Sequence, residues 1–225
     1  MPLPVNPHIL GSFEQALVAL RAQVLMMASL TAHSLENAEK ALFRRDDRCS
    51  EACILADEEI DTLEIQIDRS GMEFLLRFQP VATDMRQVLS AMKMSINIER
   101  IADHIVSIAR IARSLNAKVP LGELDKLTPL FRVAKEMFRD SVKAYADGDA
   151  ILARAMKGRD RELDQMNRSV IDFFTDRMGE APSSVRGYLK LIFISQNLER
   201  MGDHATNLCE DVIYICAAED IRHIG

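Results

Sequence analysis

Apolar residues at Phe13, Leu17, Leu20, Val24 and Met27 are separated alternately by four and three positions, the spacing of a helix with one face turned inward. This predicts a long first helix ending near Arg44 or Arg45. Asp46 and Asp47 then cap a second helix that runs to about Phe78, where Pro80 forces a break. A third helix is expected from near Thr83 to Leu115. Asn116 to Gly122, which holds Pro120 and Gly122, forms a boundary. Beyond it, Thr128-Pro129 starts a helix, Gly148 breaks it, and Pro182-Ser183-Ser184 opens the last one. The pattern is six helices in two groups of three.

The second group repeats the first. Asn97-Ile98-Glu99-Arg100-Ile101-Ala102-Asp103-His104 recurs one hundred positions later as Asn197-Leu198-Glu199-Arg200-Met201-Gly202-Asp203-His204, with five of the eight residues identical. Upstream, Asp57 to Leu63 matches Asp160 to Met166 at an offset of 103, so the second copy lacks three residues in an intervening loop. Three long antiparallel helices with short connections pack as a bundle at shallow angles. The expected fold is therefore all-α: two tandem three-helix bundles related by internal repeat, residues 1–118 and 119–225. The short joining segment leaves a single six-helix domain with one shared core as the alternative.

Composition agrees. The chain of 225 residues is 48% apolar, enough for a large core, and has only nine glycines, seven prolines and no Trp. Its net charge of -6 makes phosphate-backbone binding a poor default, so no nucleic-acid partner is expected. Cys49, Cys53, Cys209 and Cys216 show no paired C-x-x-C spacing and fit a reduced cytosolic setting. The apolar stretch Ala16 to Ala32 is interrupted by Arg21 and Gln23, which argues against a signal peptide or a membrane span.

Chemistry enters through the acids. On the third helix, Met94, Ile98, Ile101, Ile105 and Ile108 form the inward stripe, and beside it runs Met92, Ile96, Glu99, Asp103 and Val106. Stacking two carboxylates at i and i+4 costs an isolated helix roughly 0.2–0.5 kcal/mol. The last helix repeats this with Glu199 and Asp203, followed by Asn207 or Glu210. The second helix of each copy adds its own row: Asp57, Asp61, Glu64 and Asp68 in one, Asp160, Asp164 and Asn167 in the other. Facing rows would gather at least four carboxylates per bundle. An all-oxygen donor set of this kind suits Mg, Mn, Fe or Ca.

The plainer interpretation makes these acids solvated boundary residues or ion-pair partners of Arg100, Arg110 and Arg200. Recurrence at one helical phase in both copies argues for the metal. His104 and His204 lie about 100° round the helix from the aspartates and are expected to cap or hydrogen-bond. Met26 and Met27 read as core filler, Cys49 and Cys53 as ordinary helix positions, and Ser12, Ser183 and Ser184 as caps. No phosphate-cradling loop or dinucleotide fingerprint is present in the sequence. A carboxylate-bridged di-iron enzyme or iron store would require Glu three residues before each His, but Ile101 and Met201 stand there.

Two copies of Glu-Arg-hydrophobic-small-Asp, each preceded by an Asp-x-x-x-Asp helix, resemble the PhoU family of phosphate-signalling proteins. Gln79-Pro80, Asp84-Met85-Arg86 and the ending Arg222-His223-Ile224-Gly225 extend the likeness to essentially the whole chain. The resemblance implies a non-enzymatic, cytoplasmic negative regulator of the phosphate-starvation response. It would couple the phosphate ABC transporter Pst, with its ATPase PstB, to the histidine kinase PhoR, modulate phosphate uptake, form a homodimer, and reach the membrane only through partners. Fe, Mn, Mg or Zn would be held by Asp57, Asp61, Glu99 and Asp103 in one cluster. Asp160, Asp164, Glu199, Asp203 and Asn207 would form the other. Ser107 stands where the family often has the counterpart of Asn207, so the first cluster is expected to hold metal less tightly.

Overall fold

The computed structural model describes residues 7–117 and 122–219. The tail motif Arg222 to Gly225 and positions 118–121 of the expected boundary lie outside the described residues. Six long helices run through the rest: α1 (Pro7–Phe43), α2 (Asp47–Phe78), α3 (Ala82–Asn116), α4 (Thr128–Asp147), α5 (Ala150–Glu180) and α6 (Val185–Ala217). Short 3-10 turns at Leu124–Leu127 and Pro182–Ser184 precede α4 and α6.

The helix ends have identifiable causes. Asp46 Oδ1 accepts a hydrogen bond from the Arg48 N–H at 3.0 Å and starts α2. Gln79 closes that helix in the left-handed region, φ 47°, donating its N–H to the Leu75 carbonyl before Pro80 prevents continuation. Gly148, φ 66°, ends α4 in the same way, a conformation without penalty for glycine. Asp149 then caps α5, its Oδ1 accepting from the N–H groups of Ile151 and Leu152, both at 2.9 Å. The serine caps are corrected: Ser12 lies within α1, Ser183 in a 3-10 turn, and Ser184 stands at the start of α6 without a side-chain capping bond.

Helices α1, α2 and α3 pack on one another, as do α4, α5 and α6, giving the tandem three-helix bundles. The strongest contact between them is α3 against α6, whereas α1 and α4 meet more lightly. Helices α1, α3, α6 and α4 thus close a central ring of four, with α2 and α5 on the outside. A single apolar core runs through both bundles without a break, from Leu20 and Ile60 to Phe174 and Val212.

Gly11–Phe43 is long and apolar enough to cross a membrane by length and composition alone. Its Leu20, Val24, Met27, Leu35 and Leu42 are nevertheless buried against the other helices, so this face is committed to the bundle. Met27 is core, but Met26, one position and about 100° further round, is 51% exposed, contrary to expectation.

The four cysteines carry free thiols. Burial pushes the Cys53 thiol up to about 11 and Cys209 to about 12, while Cys216 is exposed and Cys49 half-buried. Because the thiolate is the reactive form, a disulfide reagent at pH 8 should titrate Cys216 quickly and Cys49 slowly. Cys53 and Cys209 should react only in denaturant. Rapid reaction of all four in the native protein would contradict this packing.

Candidate metal centre

The repeated octapeptide points two ways from one helix turn. Its apolar members, Ile98, Ile101, Leu198 and Met201, are fully buried. Its acids emerge along the grooves between α2 and α3 in the first repeat and between α5 and α6 in the second. Gly202 permits a close α5–α6 approach: a Cβ there would lie 2.5 Å from Leu163 Cδ2. The first repeat has Ala102 at the same place.

In the second repeat the donors converge. One carboxylate oxygen each from Asp164, Glu199 and Asp203 lies within 4.8 Å of the others, and among the described residues no other group of three metal-ligating side chains is this close. Bonds of 2.0–2.6 Å to a hard cation would place opposed oxygens about 4–5 Å apart, so this donor set fits such an ion. Burial raises the pKa values of Asp160, Glu199 and Asp203, and neighbouring carboxylates raise them further. Asp203, facing Glu199, Asp160 and Asp164, reaches about 6. Asp160 borders the group and accepts a hydrogen bond from Thr206 Oγ1 at 3.3 Å.

The first repeat sets the same acid types around its groove, but a cation of the chain itself sits among them. Arg100 lies 3.4 Å from a Glu99 oxygen and 3.4 Å from an Asp103 oxygen. Asp57 and Glu99 are both raised by burial first and then by like charges, Asp61 and Asp103 for one, Asp103, Asp61 and Glu64 for the other. Arg110 opposes the rise at Asp57 and Arg100 at Glu99. The two clusters are therefore unequal, with an arginine across the first and three convergent oxygens in the second.

Two polar residues of the predicted rows turn elsewhere. Asn167 is buried and accepts a hydrogen bond from Ser195 Oγ at 2.7 Å, which fastens α5 to α6. Asn207 directs its amide nitrogen to Asn97 Oδ1 across the α3–α6 contact, at 3.4 Å.

Across that contact both histidines hydrogen-bond, as expected, but to asparagines the sequence reading did not single out as partners. His104 Nδ1 lies 2.9 Å from Asn197 Oδ1, and His204 Nδ1 lies 3.0 Å from Asn97 Oδ1. Each asparagine donates its amide nitrogen to the carbonyl four residues earlier in its own helix, which leaves the oxygen to accept and makes Nδ1 of each histidine the donor. The two rings stack at 5.7 Å. Burial lowers both imidazoles below their usual range, so the clasp is built from neutral rings. Asn and His are the first and last residues of the repeated octapeptide, and their recurrence was the available signal. Both imidazoles lie in this seam, and Ile101 and Met201 stand where the Glu-x-x-His motif of a di-iron bundle needs Glu.

The comparisons agree with this duplicated architecture. The PhoU domain family matches residues 24–112 and again residues 127–212. A phosphate-specific transport system accessory protein PhoU homolog from Pseudomonas putida is 33% identical over 220 residues, 97% of this chain and 86% of the relative. The homolog from Xylella fastidiosa strain 9a5c is 31% identical over 96% of this chain and 91% of the relative. The crystal structure of PhoU from Pseudomonas aeruginosa superimposes with a TM-score of 0.88 at 29% identity, covering 92% of this chain and all of that one. The regulatory protein PhoU from Streptococcus pneumoniae shares the fold, with a TM-score of 0.85. Matched once by each of its halves and along nearly its whole length by these relatives, the chain belongs to the PhoU family.

Proposed function

We propose that this chain is a cytoplasmic accessory regulator of the phosphate-specific transport system. It restrains the phosphate-starvation response by contact and performs no reaction. The observation that carries this reading is the near-complete coverage by relatives named as accessory proteins of that system. The partners proposed are the Pst transporter, through its ATPase PstB, and the sensor kinase PhoR. A regulator can bias a kinase only by binding its two states with different affinity. The acid-lined grooves α2–α3 and α5–α6 are the surfaces proposed for that discrimination, in a chain that works as a homodimer.

Asp164, Glu199 and Asp203, bordered by Asp160, would hold a hard or borderline cation such as Fe, Mn, Mg or Zn. Asp57, Asp61, Glu99 and Asp103 would hold a second ion more weakly, because Arg100 already offsets part of their charge. A bound cation supplies neutralisation of a crowded acidic face.

Deleting the gene and following a phosphate-starvation reporter at high phosphate tests the assignment. The reporter should switch on in the deletion and be silenced again by the wild-type chain. A reporter that stays silent in the deletion would remove the signalling role.

A further inference from the structure

The outward face of α2 is apolar, whereas that of α5, which holds the same place in the other repeat, is not. Leu55, Ile65, Met72 and Leu76 are 48–75% exposed, turned away from the side of α2 that buries Ile60, Ile67 and Gly71. The two helices keep one phase at the offset of 103. Cys53, Ile60, Ile67 and Gly71 are buried in α2, and Met156, Leu163, Val170 and Phe174 in α5. At that offset the four outward positions of α5 hold Gly158, Arg168, Thr175 and Gly179, all exposed. The bundle itself therefore does not require an apolar outer face, and an exposed apolar row marks a contact.

The spacing says what makes that contact. With Glu51, Glu58, Thr62 and Arg69 between them, the four apolar residues follow one another at alternating steps of four and three, every position exposed. This 3.5-residue period is the seam of a two-helix coiled coil. From Glu51 to Leu76 it is about 38 Å long. The steps read the same in both directions, so α2 matches an antiparallel copy of itself. In one register Leu55 meets the partner's Met72, Thr62 meets the partner's Ile65, and Glu58 meets the partner's Arg69. At the ends Leu76 lies against the stem of the partner's Glu51. Each layer occurs twice about a twofold axis.

Charge selects that arrangement. Glu58 and Arg69 have no ion-pair partner among the described residues, and the antiparallel register gives both of them one. A parallel pair would set Glu58 against Glu58 and Arg69 against Arg69, and a shift by one heptad would oppose Arg69 to Ile65 and Glu58 to Leu76. A charged layer inside an apolar seam fixes register in this way. Asp61 and the partner's Asp68 flank the seam on the groove side, both exposed, where like charges are screened by salt.

We propose that the outer face of α2 is where two copies of this chain pair, as an antiparallel α2–α2 coiled coil registered by reciprocal Glu58–Arg69 contacts. This rests on the homodimer reading above and assigns its interface. The α5 helix of each copy stays outside the contact, so the dimer joins first repeats and leaves the second repeats, with their convergent acids, at its two ends.

Sedimentation equilibrium of the full chain tests it. Wild type should dimerise reversibly. Leu55→Glu, Glu58→Arg and Arg69→Glu, each alone, should weaken the dimer about tenfold or more, because every change enters the seam twice. Glu58→Arg/Arg69→Glu should restore association, since it exchanges the two charges without altering the pairing. Thr175→Glu, at the position of α5 that corresponds to Met72, should change nothing. All of these positions are exposed, and an unchanged circular dichroism melt of the variants in dilute solution confirms that the fold is intact. A dimer that survives all three single changes would overturn the α2 seam and leave the homodimer standing. A double variant no tighter than either single one would overturn the register. A wild type that stays monomeric at every concentration would remove both the seam and the homodimer. If that monomer floats with phosphatidylglycerol vesicles and Leu55→Glu does not, the apolar row belongs to a lipid surface.

Discussion

Supplying the metal-free chain with a divalent cation at a hundredfold excess over its dissociation constant should raise the unfolding free energy by about 2.7 kcal/mol. Asp203→Asn should abolish that gain and leave the metal-free protein no less stable than wild type. The second half distinguishes a cation site from an ordinary surface ion pair, whose loss would destabilise. Asp203 stands where burial and the charges of Glu199, Asp160 and Asp164 all oppose its ionisation, so removing its charge relieves strain when no ion is present. The pH dependence has a definite sign. The folded-state value of Asp203, about 6, lies above the unfolded carboxylate value of about 3.9, so between them the folded state binds more protons. Metal-free stability therefore falls as pH rises through that window. Cation stabilisation, which competes with the proton, should be full above pH 6 and shrink below it. His104 and His204 act oppositely. Their folded values are lowered, so their contribution is present above the unfolded value of about 6.5 and is lost as pH falls. In Asp203→Asn, without metal, the histidine slope should become easier to see in chemical denaturation between pH 7 and 5. A wild-type protein whose denaturation midpoint does not move with any of Mg, Mn, Fe or Zn would end the cation reading.

Phe131→Ala should cost about 3–5 kcal/mol, as expected for truncating a fully buried aromatic side chain. Phe131 also packs on Phe43 of the first repeat, so the loss is not confined to the bundle that carries it. Because the core is continuous through both repeats, unfolding in urea should be one transition for the whole chain. The substitution should shift its midpoint and leave its slope unchanged. Circular dichroism and the accessibility of Cys53, which lies in the first repeat, should report the same shifted midpoint. Two separate transitions, with Cys53 released at the wild-type denaturant concentration, would mean that each bundle has a core of its own.

Much of this fold was legible along the chain because each helix is amphipathic, and its punctuation is chemical: Asp46, Pro80, Gly148 and Pro182 all mark real boundaries. The phase of the acids was legible for the same reason, since i and i+4 positions share a face whatever the helix packs against. What single-helix periodicity does not encode is which helices meet across the repeats. Hence the Asn97–His204 and Asn197–His104 clasp escaped notice, although both residue types recur in the octapeptide. Asn167 shared the spacing of an acidic row but sits slightly further round α5, where Ser195 faces it. Met26 was misassigned because it lies one position, about 100°, round α1 from Met27 and so falls off the stripe that faces the core.

The reciprocal histidine clasp relates the halves by an approximate twofold axis, as in a symmetric pair of subunits. In such a pair any change would appear on both sides at once. Joined in one polypeptide, the halves are released from that obligation. Gly202 against Ala102 and Asn207 against Ser107 are differences that two identical subunits could never display. Fusion thus lets one half specialise while the other keeps its original duty, within a shell that still folds as though the two were equal.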